Sequence, residues 1–132
     1  MNDGAAVDGA IRATFDEFAA AWNAHDAARM AACWVDEGNA VDPWGKLAVG
    51  RHGVEQLLAE EHEAPMRESS YRILQLATRS LSEHAAVVEC EATIDNVRAP
   101  NGRHYELKHR LDGVAVVRDG AWRFLSLHPS LK

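Results

Sequence analysis

The sequence predicts an α+β domain, helices first and an antiparallel sheet after, and three observations carry that expectation. Apolar residues recur at helical spacing from Ile11 to Leu58, the period changes after Pro65, and Gly-containing turns then separate long β-branched stretches. Helices followed by strands is the pattern of a sheet with one face covered by helices.

The elements follow in order. Asp8 is a plausible N-cap for a helix over residues 8–24, and Ile11, Phe15, Phe18 and Trp22 fall on one face of it. Asn23-Ala24-His25 breaks that helix, Asp26 can cap a shorter second one, and Met30, Cys33 and Trp34 form its apolar side. The stretch NAVDPWGKLAVGRHG then reads as a short strand ending in Asp42, a turn through Pro43-Trp44-Gly45, and a helix beginning after Gly50. On that third helix Val54, Leu57, Leu58, Glu61 and His62 share the apolar stripe, and Pro65 ends it. Four extended stretches follow, at 71–76, 85–94, 103–117 and 122–128. Ser82-Glu83, Pro100-Asn101-Gly102 and Asp119-Gly120 separate them, so they form a meander.

Composition narrows the function classes. A chain of 132 residues, 47% hydrophobic, is expected to be one domain over 1–132, with residues 1–7 disordered. Residues 1–66 hold 12 acids against 4 bases and residues 67–132 hold 8 against 10, so neither half offers the basic footprint of a nucleic-acid or anionic-membrane binder. The N-terminus lacks a basic stretch followed by an apolar run, and no segment approaches a membrane span; a cytoplasmic location is expected. Cys33 and Cys90 sit in apolar patterns and read as small buried hydrophobes. Seven histidines show no HExxH and no paired-cysteine spacing, and there is no G-x-S-x-G elbow, so no metal, no cofactor and no nucleophilic serine are expected.

Asp42 is the first candidate for chemistry. It is either a turn residue satisfying nearby amides or a carboxylate base at a pocket wall, able to take a proton from carbon beside a carbonyl. His62 is either a core histidine bonded to a backbone carbonyl or a pocket acid-base group, with Glu61 beside it to orient the ring. Asp112 shares strand parity with Lys108 and Arg110 while His109 and Leu111 take the other face, and parity alone leaves open which face is inward. Four tryptophans are many for so small a domain, and aromatics suit a flat apolar ligand. Phe18, Trp22, Trp34 and Leu58 are the expected walls, with Trp44, on a turn that its own hairpin cannot bury, at the edge. The apolar strands also leave a second sheet face needing cover, which predicts a homodimer.

The order helix, helix, NAVDPWG hairpin, GRHGVEQLL helix and a meander closing on RDGAWRFLSLH resembles the nuclear transport factor 2-like superfamily, especially its SnoaL-like and ketosteroid-isomerase-like branches. The resemblance implies a cone-shaped α+β barrel, a curved antiparallel sheet wrapped round the first helix, with a pocket at the wide end for a small apolar molecule and most often a dimer. Among ketosteroid isomerases, Asp42 matches the proton-shuttling base, and Asp112 matches by spacing the acid that donates to the substrate oxygen. The tyrosine that shares the oxyanion hole falls at Phe18, which has no hydroxyl, so steroid isomerisation by that mechanism is not expected. His62 and His128 resemble histidines recurrent among SnoaL-like proteins. GAWRFLSLHPS resembles the last strand of scytalone-type dehydratases, although the middle-strand histidine of that group has no counterpart in AVVECEATI. The resemblance thus implies a cofactor-independent isomerase, cyclase or dehydratase, or else a non-catalytic binding or oligomerisation module of the same fold.

Overall fold

A computed structural model of the chain describes residues 3–131. Helix α1 runs Asp3–Asn23, α2 Ala27–Ala31, strand β1 Trp34–Val41, β2 Leu47–Val49, helix α3 Gly50–Glu63, and strands β3 to β6 Ser70–Ser80, Ala85–Arg98, His104–Arg118 and Ala121–Leu131. The six strands form one sheet in the order β2-β1-β6-β5-β4-β3. The meander from β3 to β6 is antiparallel as expected, but β1 lies parallel to β6, so the sheet is mixed. Its edge strands β2 and β3 do not pair with each other, and the barrel stays open.

Three local expectations are corrected. Helix α1 begins at Asp3, ahead of the start at residue 8 expected from the sequence, and residues 1–2 lie outside the described residues. Asp8 is therefore interior to the helix and caps nothing; its carboxylate instead accepts from the Thr78 hydroxyl on β3. Trp34 opens β1 instead of ending α2. A five-residue helix has little intrinsic persistence, and Trp34-Val35 gains more from pairing beside Phe124 of β6 than from another helical turn. Asp26 does cap α2, accepting from the Arg29 amide at 3.1 Å.

The core lies between α1 and the inner face of the sheet. Ile11, Phe15, Phe18 and Trp22 are all buried, as their spacing predicts. Phe18 is the hub: its ring lies 5.3 Å from Tyr71, 5.6 Å from Trp34 and 5.8 Å from Trp22, all edge-on. Alternation on β5 buries His109, Leu111 and Ala115 and turns Arg110 and Asp112 outward. Asn23 ties the end of α1 to β3, its amide accepting from Tyr71 N at 2.7 Å and donating to Tyr71 O at 3.3 Å.

Candidate functional site

A cavity of about 60 Å³ opens between α1, α3 and the inner face of the sheet. That is room for ~4 waters, and a ring-sized ligand must widen it. Phe18 and Trp22 from α1, Trp34, Ala40 and Val41 from β1, and Val54, Leu57 and Leu58 from α3 make its apolar wall. Tyr71, Ile94, Leu111, Leu127 and Pro129 line it from the sheet. Two carboxyl side chains, Asp42 and Glu61, and one imidazole, His109, lie on the wall, and among the described residues no Lys or Arg joins them.

Asp42 is placed by its turn. Its Oδ1 accepts from the amides of Trp44 at 2.9 Å and Lys46 at 2.8 Å, while Gly45 N donates to its carbonyl at 3.0 Å. Gly45 takes φ 90°, which an L side chain rarely adopts, so the tight turn depends on glycine there. The two readings of Asp42 are thus not exclusive: it caps the turn and borders the cavity, and both amide bonds fall on the same oxygen.

Glu61 and His109 are the residues whose place in the site the sequence did not reveal. Glu61 is only 7% exposed, and its Oε2 has no hydrogen-bond partner. Burial first, then the negative charge of Asp42, push its pKa up to about 8. His109 is 3% exposed; Nε2 lies 3.2 Å from the Tyr71 hydroxyl, and Nδ1 is unpartnered. Burial lowers its pKa to about 4, so the ring is neutral at ordinary pH. With the hydroxyl donating to Nε2, Nδ1 carries the hydrogen and is a fixed donor; that tautomer is inferred from the bonding. Two signals pointed this way, the position of Glu61 on the apolar stripe of α3 and the parity of His109 with Leu111. Neither says that a cavity, rather than packed carbon, lies beyond.

Other candidates lie elsewhere. His62 is not among the cavity-lining residues: its ring sits 4.4 Å from that of Trp22, with Nδ1 2.8 Å from Nδ1 of His25. Residues 61 and 62 are about 100° apart around a helix, so only Glu61 reaches the cavity. Burial, then the charge of His25, lowers the His62 pKa to about 4. Asp112 faces out and pairs with Arg110 at 2.9 Å, and His128, across from it on β6, is exposed beside Ser126. The alternation that brings His109 in turns both of them away. Trp44 is 54% exposed and borders a separate open cleft with Pro65, Pro100 and Tyr105. Among the described residues no group of three or more His, Cys, Asp or Glu is arranged to hold a metal ion. Nor is any helix of the described residues long and apolar enough to cross a membrane.

Residues 11–132 match the sequence profile of the SnoaL-like domain. The chain belongs to the SnoaL-like family. Its fold is shared with solved structures. An uncharacterized protein with a cystatin-like fold from Caulobacter vibrioides is 23% identical, with 94% of this chain and 88% of that one covered at a TM-score of 0.85. A putative scytalone dehydratase from Novosphingobium aromaticivorans is 19% identical over 100% and 89%, at 0.84. A hexachlorocyclohexane dehydrochlorinase is 19% identical over 98% and 88%, at 0.83. No curated protein matches the chain. As a SnoaL-like domain, it is a pocket protein of that type.

Proposed function

We propose that this SnoaL-like domain binds a small, uncharged, largely apolar carbonyl compound and moves a proton on it without a cofactor, with Asp42 as the base. The observation that carries the reading is that one apolar cavity is lined by Asp42 together with Glu61 and His109, each of which has a buried polar atom with no partner, Oε2 and Nδ1. Unpaired buried polar atoms are rare and costly, and a ligand oxygen would satisfy one or both. Neutral His109 is suited to donate to such an oxygen while Asp42 takes the proton from the neighbouring carbon. A dehydratase and a dehydrochlorinase share the fold, and both names describe eliminations that remove a proton with a leaving group. That agrees with a carboxylate base in the pocket, and elimination and isomerisation differ only in where the electron pair then goes.

The test is hydrogen exchange at carbon. Incubated with 2-cyclohexen-1-one in D2O, the wild type is expected to speed deuterium incorporation next to the carbonyl, and Asp42→Asn to lose that while ligand line-broadening in NMR persists. Binding without exchange in the wild type would favour the second reading, a non-catalytic ligand carrier. The observation on that side is the pair of turn amides on Asp42 Oδ1, which gives the residue a structural reason to be there. The domain is further proposed to form a homodimer through the outer face of the meander, where Val87, Val114 and Val116 lie among ion pairs of Arg110 with Glu89 and Asp112.

A further inference from the structure

Trp44 and Tyr105 are the two large aromatics that the fold leaves exposed among the described residues, and both stand on one open cleft of about 310 Å³ with Pro65, Pro100 and Arg98. That volume falls at the lower end of small-molecule sites, roughly 300–1,000 Å³. A lone exposed apolar side chain is ordinary; two aromatic rings and two prolines gathered on one concave surface mark a place where something binds. The walls are fixed by main-chain bonds. Arg98 N donates to Pro65 O at 2.8 Å, tying the segment after α3 to the end of β4, and Ala99 N donates to Arg103 O at 2.8 Å across the turn that carries Pro100. Trp44 sits on the turn whose amides Asp42 holds. A ligand entering the cleft meets surfaces already in place, so little ordering entropy is lost on binding.

Arg98 gives the cleft its sign. Among the described residues its guanidinium makes no hydrogen bond or ion pair, and no carboxyl lines the cleft. Carboxylates on the neighbouring elements are engaged elsewhere: Glu60 with Lys46 at 3.0 Å, Glu68 with His104 at 3.5 Å, and Glu106 with Arg72 and Lys108, both at 3.8 Å. Glu63, exposed at the end of α3, is unpaired, but so are Arg67 and Arg103 on the two segments that form the cleft. This corner is therefore positive in a chain whose formal charge is −6. An unpaired guanidinium presents a planar fork of donors that fits a carboxylate by two parallel hydrogen bonds.

We propose that this cleft is a second ligand site, for a planar aromatic carboxylate whose rings lie against Trp44 and Tyr105 and whose charge is held by Arg98. The site goes beyond the proton-transfer reading and does not depend on it, because the cavity has no cation on its wall and the cleft has no acid. The ligand class follows from the wall. Aromatic and proline surfaces favour a flat ring over a flexible chain, which would lose more freedom on binding. One guanidinium balances one negative charge, which selects a carboxylate over a phosphate monoester carrying about two.

NMR titration of the full 15N-labelled chain with 2-naphthoate tests the site, because each indole reports its own surroundings. The Trp44 indole N–H signal, identified by its absence from Trp44→Ala, is expected to shift, while those of Trp22 and Trp34, buried on the cavity wall, stay in place. Shifts at Trp22 and Trp34 without one at Trp44 would put the ligand in the cavity and overturn the proposal. 2-Naphthalenemethanol keeps the rings and lacks the charge, and cyclohexanecarboxylate keeps the charge and lacks the flat ring. Each should bind at least about tenfold more weakly than 2-naphthoate; equal binding of either would overturn the ligand class. Arg98→Gln should weaken 2-naphthoate about tenfold and leave the alcohol unchanged, whereas Arg79→Gln, which removes another exposed and unpaired arginine, should change neither. Equal losses in the two variants would assign the effect to net charge and overturn the site. A Trp44 signal that moves with protein concentration but not with 2-naphthoate would place a second copy of the chain on the cleft and overturn it as well.

Discussion

Asp42 shows how one carboxyl can serve both a turn and a cavity. Its Oδ1 gathers two amides, which orients the group without consuming its other oxygen. Asparagine at this position keeps the acceptor and removes the base, so Asp42→Asn should cost about 100-fold or more in carbon-proton exchange with little change in melting temperature. His62 offers the contrast. It packs on Trp22 and His25 outside the cavity, so His62→Gln should lower exchange less than about threefold, measured in the same assay. A loss as large as that of Asp42→Asn would place His62 in the chemistry after all. Phe18 is a third case. The absent hydroxyl removes a donor that the resemblance would have supplied, and the residue's ring instead joins Trp22, Trp34 and Tyr71 into the wall.

At the scale of elements, the parallel pairing of β1 with β6 brings Asp42 to the cavity. Ala40 lies beside Leu127, so the end of β1 reaches the mouth of the helix-covered face just where β6 lines it. Strand β6 bends through a register shift opposite Val114 and Ala115, and the backbone closes in on β5 there. Gly113 is the residue that permits this: a Cβ at that position would lie 1.9 Å from Ser126 O. Gly113→Ala should therefore destabilise the fold by about 3 kcal/mol, read as a lower urea midpoint at unchanged slope. Gly9, with nothing within 4 Å of an added Cβ, sits within α1, and Gly9→Ala should be neutral or slightly stabilising in the same measurement.

For the whole molecule, the buried ionisable groups predict how stability follows pH. His62 and His109 are lowered from 6.5 to about 4, and Glu61 is raised from 4.5 to about 8. Between about 4 and 6.5 the unfolded chain binds protons that the two folded histidines refuse, so stability rises with pH. Glu61 acts in the opposite sense from 4.5 to about 8, because the folded chain keeps a proton that the unfolded chain releases. Two histidines outweigh one glutamate where the windows overlap, so stability should peak near 6.5 and then decline by at most about 2 kcal/mol towards pH 8. Urea unfolding at a series of pH values checks this, and Glu61→Gln should flatten the decline. An unchanged slope in that variant would assign the decline to other groups. The proposed dimer is also a property of this scale: light scattering should give twice the chain mass of 14.5 kDa, and a monomer at micromolar concentration would count against it.

The sequence by itself determined the layout. Helical spacing through Leu58, the change of period after Pro65 and the turn residues between strands decided which segments are helices and strands, because these signals are local. The same locality explains its errors. Trp34 was assigned to a helix because its strand exists only through pairing with β6, ninety residues on. The site divides in the same way. Asp42, Phe18, Trp22, Trp34 and Leu58 were legible from a turn motif and from apolar stripes, and all of them line the cavity. Glu61 and His109 were visible only as polar residues on buried faces, a pattern that also describes satisfied core residues. Tertiary structure alone decided that both side chains line a cavity instead of being enclosed by packed carbon. It likewise decided that Asp112 and His128 face out, because strand parity is a local property and the direction of the core is not.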